Sequence, residues 1–280
     1  MSQYAHPEVV VTTSWVEENL GKPGIRLVEV DVDTKAYDAG HIPSAVGFNW
    51  QTQLQDPLRR DIISREEFER LVGGSSIAPA DTVILYGDNN NWFAAYGLWL
   101  FKIYGHNDVR LMDGGRIKWL NEDRELTTVR PKPTPVAYRA KSVNMDLRAR
   151  VAEVMEVARG SGANLIDVRS PDEFTGKVIA PPGMSETAQR GGHIPGARSV
   201  PWSTAVNEDG TFKARPDLEK IYLQTAGVDR KKPTIAYCRI GERSSHTWFV
   251  LKYLLGLDNV KNYDGSWTEY GNLIGAPIER

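Results

Sequence analysis

The chain has 280 residues, 41% of them hydrophobic and 25% charged, with a net charge of −2. That length suits two domains of about 130 residues each, and the near-neutral balance excludes a broad electrostatic surface for nucleic acid or anionic lipid. A single cysteine, Cys238, excludes an intramolecular disulfide, and no Cys/His cluster has zinc spacing.

The N-terminal stretch MSQYAHPEVVVTTSWVEENL has no basic region followed by a long apolar run. No segment approaches the ~18 apolar residues of a membrane span, so a cytoplasmic, reducing environment is expected. Further along, Leu27-Val28-Glu29-Val30 reads as a buried strand, followed by a Gly40-His41-Ile42-Pro43 turn and Trp50. Ile84 and Tyr86 lie in a second strand, and Gly105, Val109 and Asp113-Gly114 follow. Residues 128–140 hold three prolines at alternate positions, which reads as a stiff extended linker.

The same order then returns. Leu165-Ile166-Asp167-Val168 resembles the first strand, Gly192-His193-Ile194-Pro195 repeats the turn 152 residues later, and Trp202 repeats Trp50 at the same offset. Ile235, Tyr237, Gly256, Val260 and Asp264-Gly265 repeat their counterparts at an offset of 151. About 14 extra residues precede the second turn, and the segment 175–191 falls in this insertion. In the second copy, strands are predicted at Ala163–Asp167, Thr234–Tyr237 and Asn259–Asn262. Helices are predicted near Pro216–Ala226 and over Ser244–Leu255, with a short one after Asp264-Gly265. Strands alternating with helices predict an α/β fold: two tandem domains, each a mainly parallel sheet flanked by helices. The boundaries read as 1–128, a linker at 129–147, and 148–280.

Features present in both copies are scaffold candidates, and a feature of one copy is a candidate for chemistry. His41 and His193, the Asp-Gly turns, and Trp50 and Trp202 therefore read as structural. The copies part company after Tyr86 and Tyr237. The first continues Gly87-Asp88-Asn89-Asn90-Asn91-Trp92, and the second continues Cys238-Arg239-Ile240-Gly241-Glu242-Arg243. A lone thiol is ordinarily a small buried hydrophobe, but Cys238 sits at a strand's carboxyl end, where doubly wound sheets bind ligands. A helix N-terminus just beyond it, with Arg239 and Arg243, favours thiolate over thiol, while Glu242 opposes them. Gly241 lets successive N–H groups turn into one concavity, so the loop 238–243 is a candidate anion cradle with a sulfur nucleophile at its floor.

Asp167-Val168-Arg169, Gly192-His193-Ile194-Pro195-Gly196-Ala197, the loop Cys238–Arg243 and Tyr263-Asp264-Gly265-Ser266-Trp267 resemble the tandem-domain rhodaneses over essentially the whole chain. The resemblance implies an inactive N-terminal domain without the cysteine, a catalytic C-terminal domain, and a site at their interface. It implies ping-pong transfer of sulfane sulfur from thiosulfate to cyanide or a thiol through a Cys238 persulfide, with no metal or organic cofactor. It further makes Arg243 the substrate-binding arginine, with Arg239 and Arg169 as lesser candidates and the backbone of Ile240, Gly241 and Glu242 as the loop's anion donors.

Two departures bear on the donor. Animal thiosulfate enzymes carry lysine where Ile240 stands and arginine near Glu173. Enzymes acting on 3-mercaptopyruvate resemble Cys-Gly-Ser-Gly in this loop, which Arg239-Ile240 does not match, so thiosulfate is the favoured donor. Phosphatases of this fold use C-x5-R, and the residue six after Cys238 is Ser244. The other alternative is a non-catalytic persulfide carrier or sulfur-delivery module.

Overall fold

The computed structural model describes residues 3–160, 162–181, 183 and 187–280. The chain forms two compact units. The first comprises Glu8–Met145 and Asn207–Phe212; the second comprises residues 3–7, Asp146–Val206 and Lys213–Arg280.

In the first unit, β1 (Val10–Val11), β2 (Ile25–Asp31), β3 (Val46–Asn49), β4 (Thr82–Tyr86) and β5 (Val109–Met112) form a parallel sheet in the order β1-β5-β4-β2-β3. Leu27 to Asp31 of β2 are all buried, as expected of a central strand covered on both faces. The helix Trp92–Ile103 is apolar almost throughout and buried along nearly its whole length. A capping box between Ser64 and Glu67 starts the helix Arg65–Gly74.

The segment read as a linker lies extended along this first unit. Val136 N–H donates to the Gly73 carbonyl at 2.9 Å, Ala140 N–H donates to Glu69 at 3.0 Å, and Tyr138 is buried against Phe68 and His106. Alternating prolines keep it extended, and the apolar and polar residues between them supply its attachments.

The second unit repeats the plan with β6 (Asn164–Asp167), β7 (Arg198–Ser199), β8 (Thr234–Tyr237) and β9 (Val260–Tyr263), parallel in the order β7-β6-β8-β9. The helices Arg215–Glu219 and Glu242–Phe249 each run on as a π-helical segment, at Lys220–Thr225 and Val250–Leu254. The second begins at Glu242, two residues before the predicted start, because Gly241 at φ 103° turns the chain directly into a helical turn.

The repeated Gly-His-Ile-Pro turns have the same attachments. The Ile42 N–H donates to the Tyr86 hydroxyl at 3.0 Å, and the Ile194 N–H donates to the Tyr237 hydroxyl at 3.1 Å. His41 stacks on Tyr37 and bonds its carbonyl through Nδ1; His193 does the same with Phe174. Backbone groups of His41 pair with Thr127 and those of His193 with Glu279, closing each unit on its own turn. Both histidines are thus held by scaffold groups. Trp50 is core, whereas Trp202 is only half-buried, edge-on to His246.

Candidate active site

β8 delivers Cys238 to the second unit's carboxyl edge. The Cys238 N–H donates to Ser266 Oγ at 3.0 Å, and that hydroxyl donates to the Tyr263 carbonyl at 2.7 Å. The Cys238 and Arg239 carbonyls accept from the N–H groups of Trp267 and Thr268, which open the helix Ser266–Tyr270. Farther round, the Gly241 carbonyl accepts from Ser245 Oγ at 2.7 Å and Asn262 Nδ2 at 3.2 Å. A Cβ at Gly241 would lie 2.8 Å from Asp264 Cα, so this corner admits glycine alone. The loop is thus pinned by hydrogen bonds from both the helix Ser266–Tyr270 and the helix Glu242–Phe249.

Several groups of the loop and its neighbours converge on Cys238 Sγ. The Gly241 N–H donates to it at 3.1 Å, Ser244 Oγ lies at 3.6 Å and Ser266 Oγ at 3.9 Å, and the thiol itself faces Glu242 Oε2 at 3.2 Å. Cys238 is 0% exposed and Glu242 2% exposed. Burial pushes the thiol up from its ordinary value and the Glu242 carboxylate adds to that; Arg243 and Ser244 work the other way. The helix N-terminus and the two arginines favour thiolate; in the folded loop burial is the largest effect and acts against it.

Arg243 occupies the first turn of the helix, also buried. Its guanidinium donates to both Glu173 oxygens, at 2.9 and 3.1 Å, and Nε lies 3.5 Å from Glu242. Burial opposes ionisation of Glu173, but these hydrogen bonds and the charge of Arg243 outweigh it and hold the carboxyl below its usual range. The structure thus brings Cys238, Glu242 and Arg243 together with Glu173, which arrives from the short helix Pro171–Phe174. Arg239 is buried within the loop and Ile240 closes it with an apolar side chain.

Arg169 has a different setting. Its guanidinium bonds Asp167 at 2.6 Å and the Gly192 carbonyl at 2.7 Å, and lies 4.4 Å from the centre of the Trp267 ring. In the first unit the same clamp comes from another chain position: Arg116, the counterpart of Trp267, bonds Glu29 at 2.7 Å and the Gly40 carbonyl at 2.5 Å. The difference between copies that singled out Arg169 therefore has a scaffold explanation. The end of the insertion is likewise structural, since Arg190 donates to the carbonyls of Gly271 and Ala276, each at 3.0 Å. Residues 182 and 184–186 of the insertion lie outside the described residues.

Sequence reading missed the roles of Glu173, Ser244, Ser266 and Asn262. A signal for Ser266 was present, because glycine, Gly115, holds the matching place in the first copy.

The first unit's equivalent loop is filled by its own side chains. The Gly87 N–H donates to Asn91 Oδ1 at 3.0 Å, and Asn91 Nδ2 donates to the Met112 carbonyl at 2.8 Å. Asn89, Asn90 and Asn91 all have positive φ, a conformation asparagine tolerates better than most residues. Asp31, at the place of Arg169, accepts from the Asp88 N–H at 2.7 Å, and burial with Asp88 and Glu29 nearby pushes its carboxyl up to about 10. A carboxyl raised in the folded state binds a proton that the unfolded chain releases above about pH 4, so it costs stability increasingly as pH rises toward 10. Asp31→Asn is therefore expected to raise the thermal midpoint at pH 8 by a few degrees, about 1 kcal/mol, and to change it little at about pH 4. Melting curves at the two pH values check this.

The Rhodanese-like domain model matches residues 12–122 and again 151–273. A protein of Saccharopolyspora erythraea with the provisional name thiosulfate sulfurtransferase is 58% identical over 273 residues, covering 97% of this chain and 96% of that one. The sulfur carrier protein TtuD of Thermus thermophilus is 52% identical over 282 residues, covering 99% of this chain and 98% of its own length. Among solved structures, the 3-mercaptopyruvate sulfotransferase SseA from Escherichia coli superposes with a TM-score of 0.79 at 27% identity, over 92% of this chain and 98% of that one. With two copies of the domain in the order the repeat predicts, the chain belongs to the rhodanese family and is a sulfurtransferase of that family.

Proposed function

We propose that the protein takes the sulfane sulfur of thiosulfate onto Cys238 as a persulfide and passes it to a thiol, or to cyanide in an assay. The observation that carries this reading is the Gly241 N–H aimed at Cys238 Sγ from 3.1 Å, at the start of the helix Glu242–Phe249. A donor fixed there stabilises sulfur anions, both the attacking thiolate and the persulfide that replaces it. In the first half-reaction Sγ attacks the outer sulfur of thiosulfate, the S–S bond of the donor breaks, and sulfite leaves with the bonding pair. In the second, the acceptor attacks the terminal persulfide sulfur and Cys238 leaves as thiolate. A cytoplasmic location suits the scheme, since a reducing compartment keeps a lone thiol free.

Thiosulfate is favoured by the name shared by close relatives and by the Arg239-Ile240 pair, which departs from the mercaptopyruvate-type loop. A carrier role is the second reading, supported by the relative named a sulfur carrier. Incubation with thiosulfate and intact-mass measurement test the shared chemistry. The expected result is a gain of one sulfur atom that Cys238→Ser abolishes; an unmodified wild-type mass would overturn the reading. Steady-state thiocyanate production separates the two roles, since a carrier loads once without turnover.

A further inference from the structure

The cradle around Cys238 contains a carboxylate where an anion-binding site would be expected to exclude one. Glu242 Oε2 is 3.2 Å from Sγ, and Nε of Arg243 approaches Oε1 at 3.5 Å. The other two oxygens near Sγ have their protons engaged: Ser244 Oγ donates to Asn262 Oδ1 at 2.6 Å, and Ser266 Oγ donates to the Tyr263 carbonyl at 2.7 Å. Gly241 supplies only an N–H donor. Of the groups converging on Sγ, Glu242 is the one that can receive a proton.

We infer that Glu242 is a catalytic residue, the base that takes the proton from Cys238 and the acid that returns it, a role resting on the sulfur-transfer reading above. In the first half-reaction the thiol proton passes to Glu242 Oε2 as the new S–S bond forms and sulfite departs. The products are a Cys238 persulfide anion, neutral Glu242 and sulfite, so charge and protons balance. In the second, the acceptor takes the terminal sulfur, Cys238 leaves as thiolate, and Glu242 reprotonates it. The acid form also removes a negative charge from beside the persulfide at the stage when the cradle holds an anion. The buried thiol, raised by its surroundings, has need of such a base.

The other charged groups around the pair are Arg243 on the same helix, Glu173 bound to it, Arg239 in the loop, Asp264 paired with Arg148, and Glu269 beside Tyr263. Arg243, Glu173 and the Asp264–Arg148 pair are engaged in ion pairs with one another or with Glu242. Arginine holds its protons, so none of these cations competes with Glu242 for the thiol proton, and Glu173 and Asp264 are each bound to an arginine.

A lone cysteine makes the test specific. Iodoacetamide alkylation of the full chain, followed by intact mass, reads the reactivity of Cys238 alone. If Glu242 takes the thiol proton, Glu242→Gln, which preserves shape but cannot take it, should alkylate and load from thiosulfate about 10²-fold more slowly than wild type near about pH 7. Raising the pH toward about 10 ionises the thiol without a base and should close most of that gap. Glu242→Asp should restore part of the rate. Equal rates in wild type and Glu242→Gln would overturn the inference while wild-type sulfur loading kept the broader reading. A faster Glu242→Gln would also overturn it, leaving the carboxylate as a mere repelling charge. Slower alkylation in the variant, with no wild-type loading, would support the proton role and remove the sulfur-transfer reading.

Discussion

Replacing Arg243 with alanine is expected to slow sulfur loading from thiosulfate by about 10²- to 10³-fold and to lower the unfolding free energy by about 3 kcal/mol. The stability loss comes from Glu173, a buried carboxylate whose two oxygens both lose their guanidinium partner, and from Glu242, which loses its nearest cation. The rate loss comes from removing the buried cation that shares the cradle with Cys238. The two effects separate in a double variant. Arg243→Ala with Glu173→Gln removes the stranded charge, so stability should return by about half while loading stays slow. Arg243→Lys keeps one charge but cannot make the forked contact to Glu173, and should fall between. Denaturant melts and loading rates followed by mass check the series. Wild-type loading in Arg243→Ala would mean the arginine holds the scaffold and nothing more.

Much of this fold was legible because the chain repeats itself. The two Gly-His-Ile-Pro turns and the tyrosines 86 and 237 recur together because each tyrosine hydroxyl accepts the N–H of the turn's isoleucine. Cys238 stood out because a scaffold otherwise retained has Gly87 at its place. What the comparison of copies could not reveal is a contact conserved in space but supplied from another chain position. Arg116 and Arg169 make matching contacts from two chain positions, so the absence of arginine at the corresponding place in the first copy does not by itself mark Arg169 as chemical. Burial was the second hidden quantity. The sequence marks Cys-Arg-Ile-Gly-Glu-Arg as an anion cradle but not how deeply its charged side chains are buried; ion pairs with Glu173 and within the helix's first turn let them sit inside the unit. That burial pushes the Cys238 thiol up, with Glu242 adding to it and Arg243 opposing.

Gly87→Cys, made in a Cys238→Ser background, is expected to give a protein that takes up no sulfur and melts several degrees lower than Cys238→Ser alone. Supplying the residue type does not make a site, because the backbone leaves no room for it. A Cβ at position 87 would lie 2.3 Å from the Val30 carbonyl oxygen and 2.7 Å from Asp31 Oδ1. The first of these is backbone at the centre of a packed sheet and cannot move aside without disturbing β2, a cost of about 1–3 kcal/mol or more. In the second unit the place of Asp31 belongs to Arg169, which folds back onto Asp167 and leaves the strand end open for Cys238. Gly87→Ala should melt as low as Gly87→Cys, since the obstruction is to Cβ and not to sulfur. A persulfide at position 87, or an unshifted melt, would show that the first unit lacks only the nucleophile. The contacts of Asp31 and Asn91 argue for more: their side chains occupy the N–H groups of Asp88 and Gly87, so each would have to be replaced before a cysteine could work there.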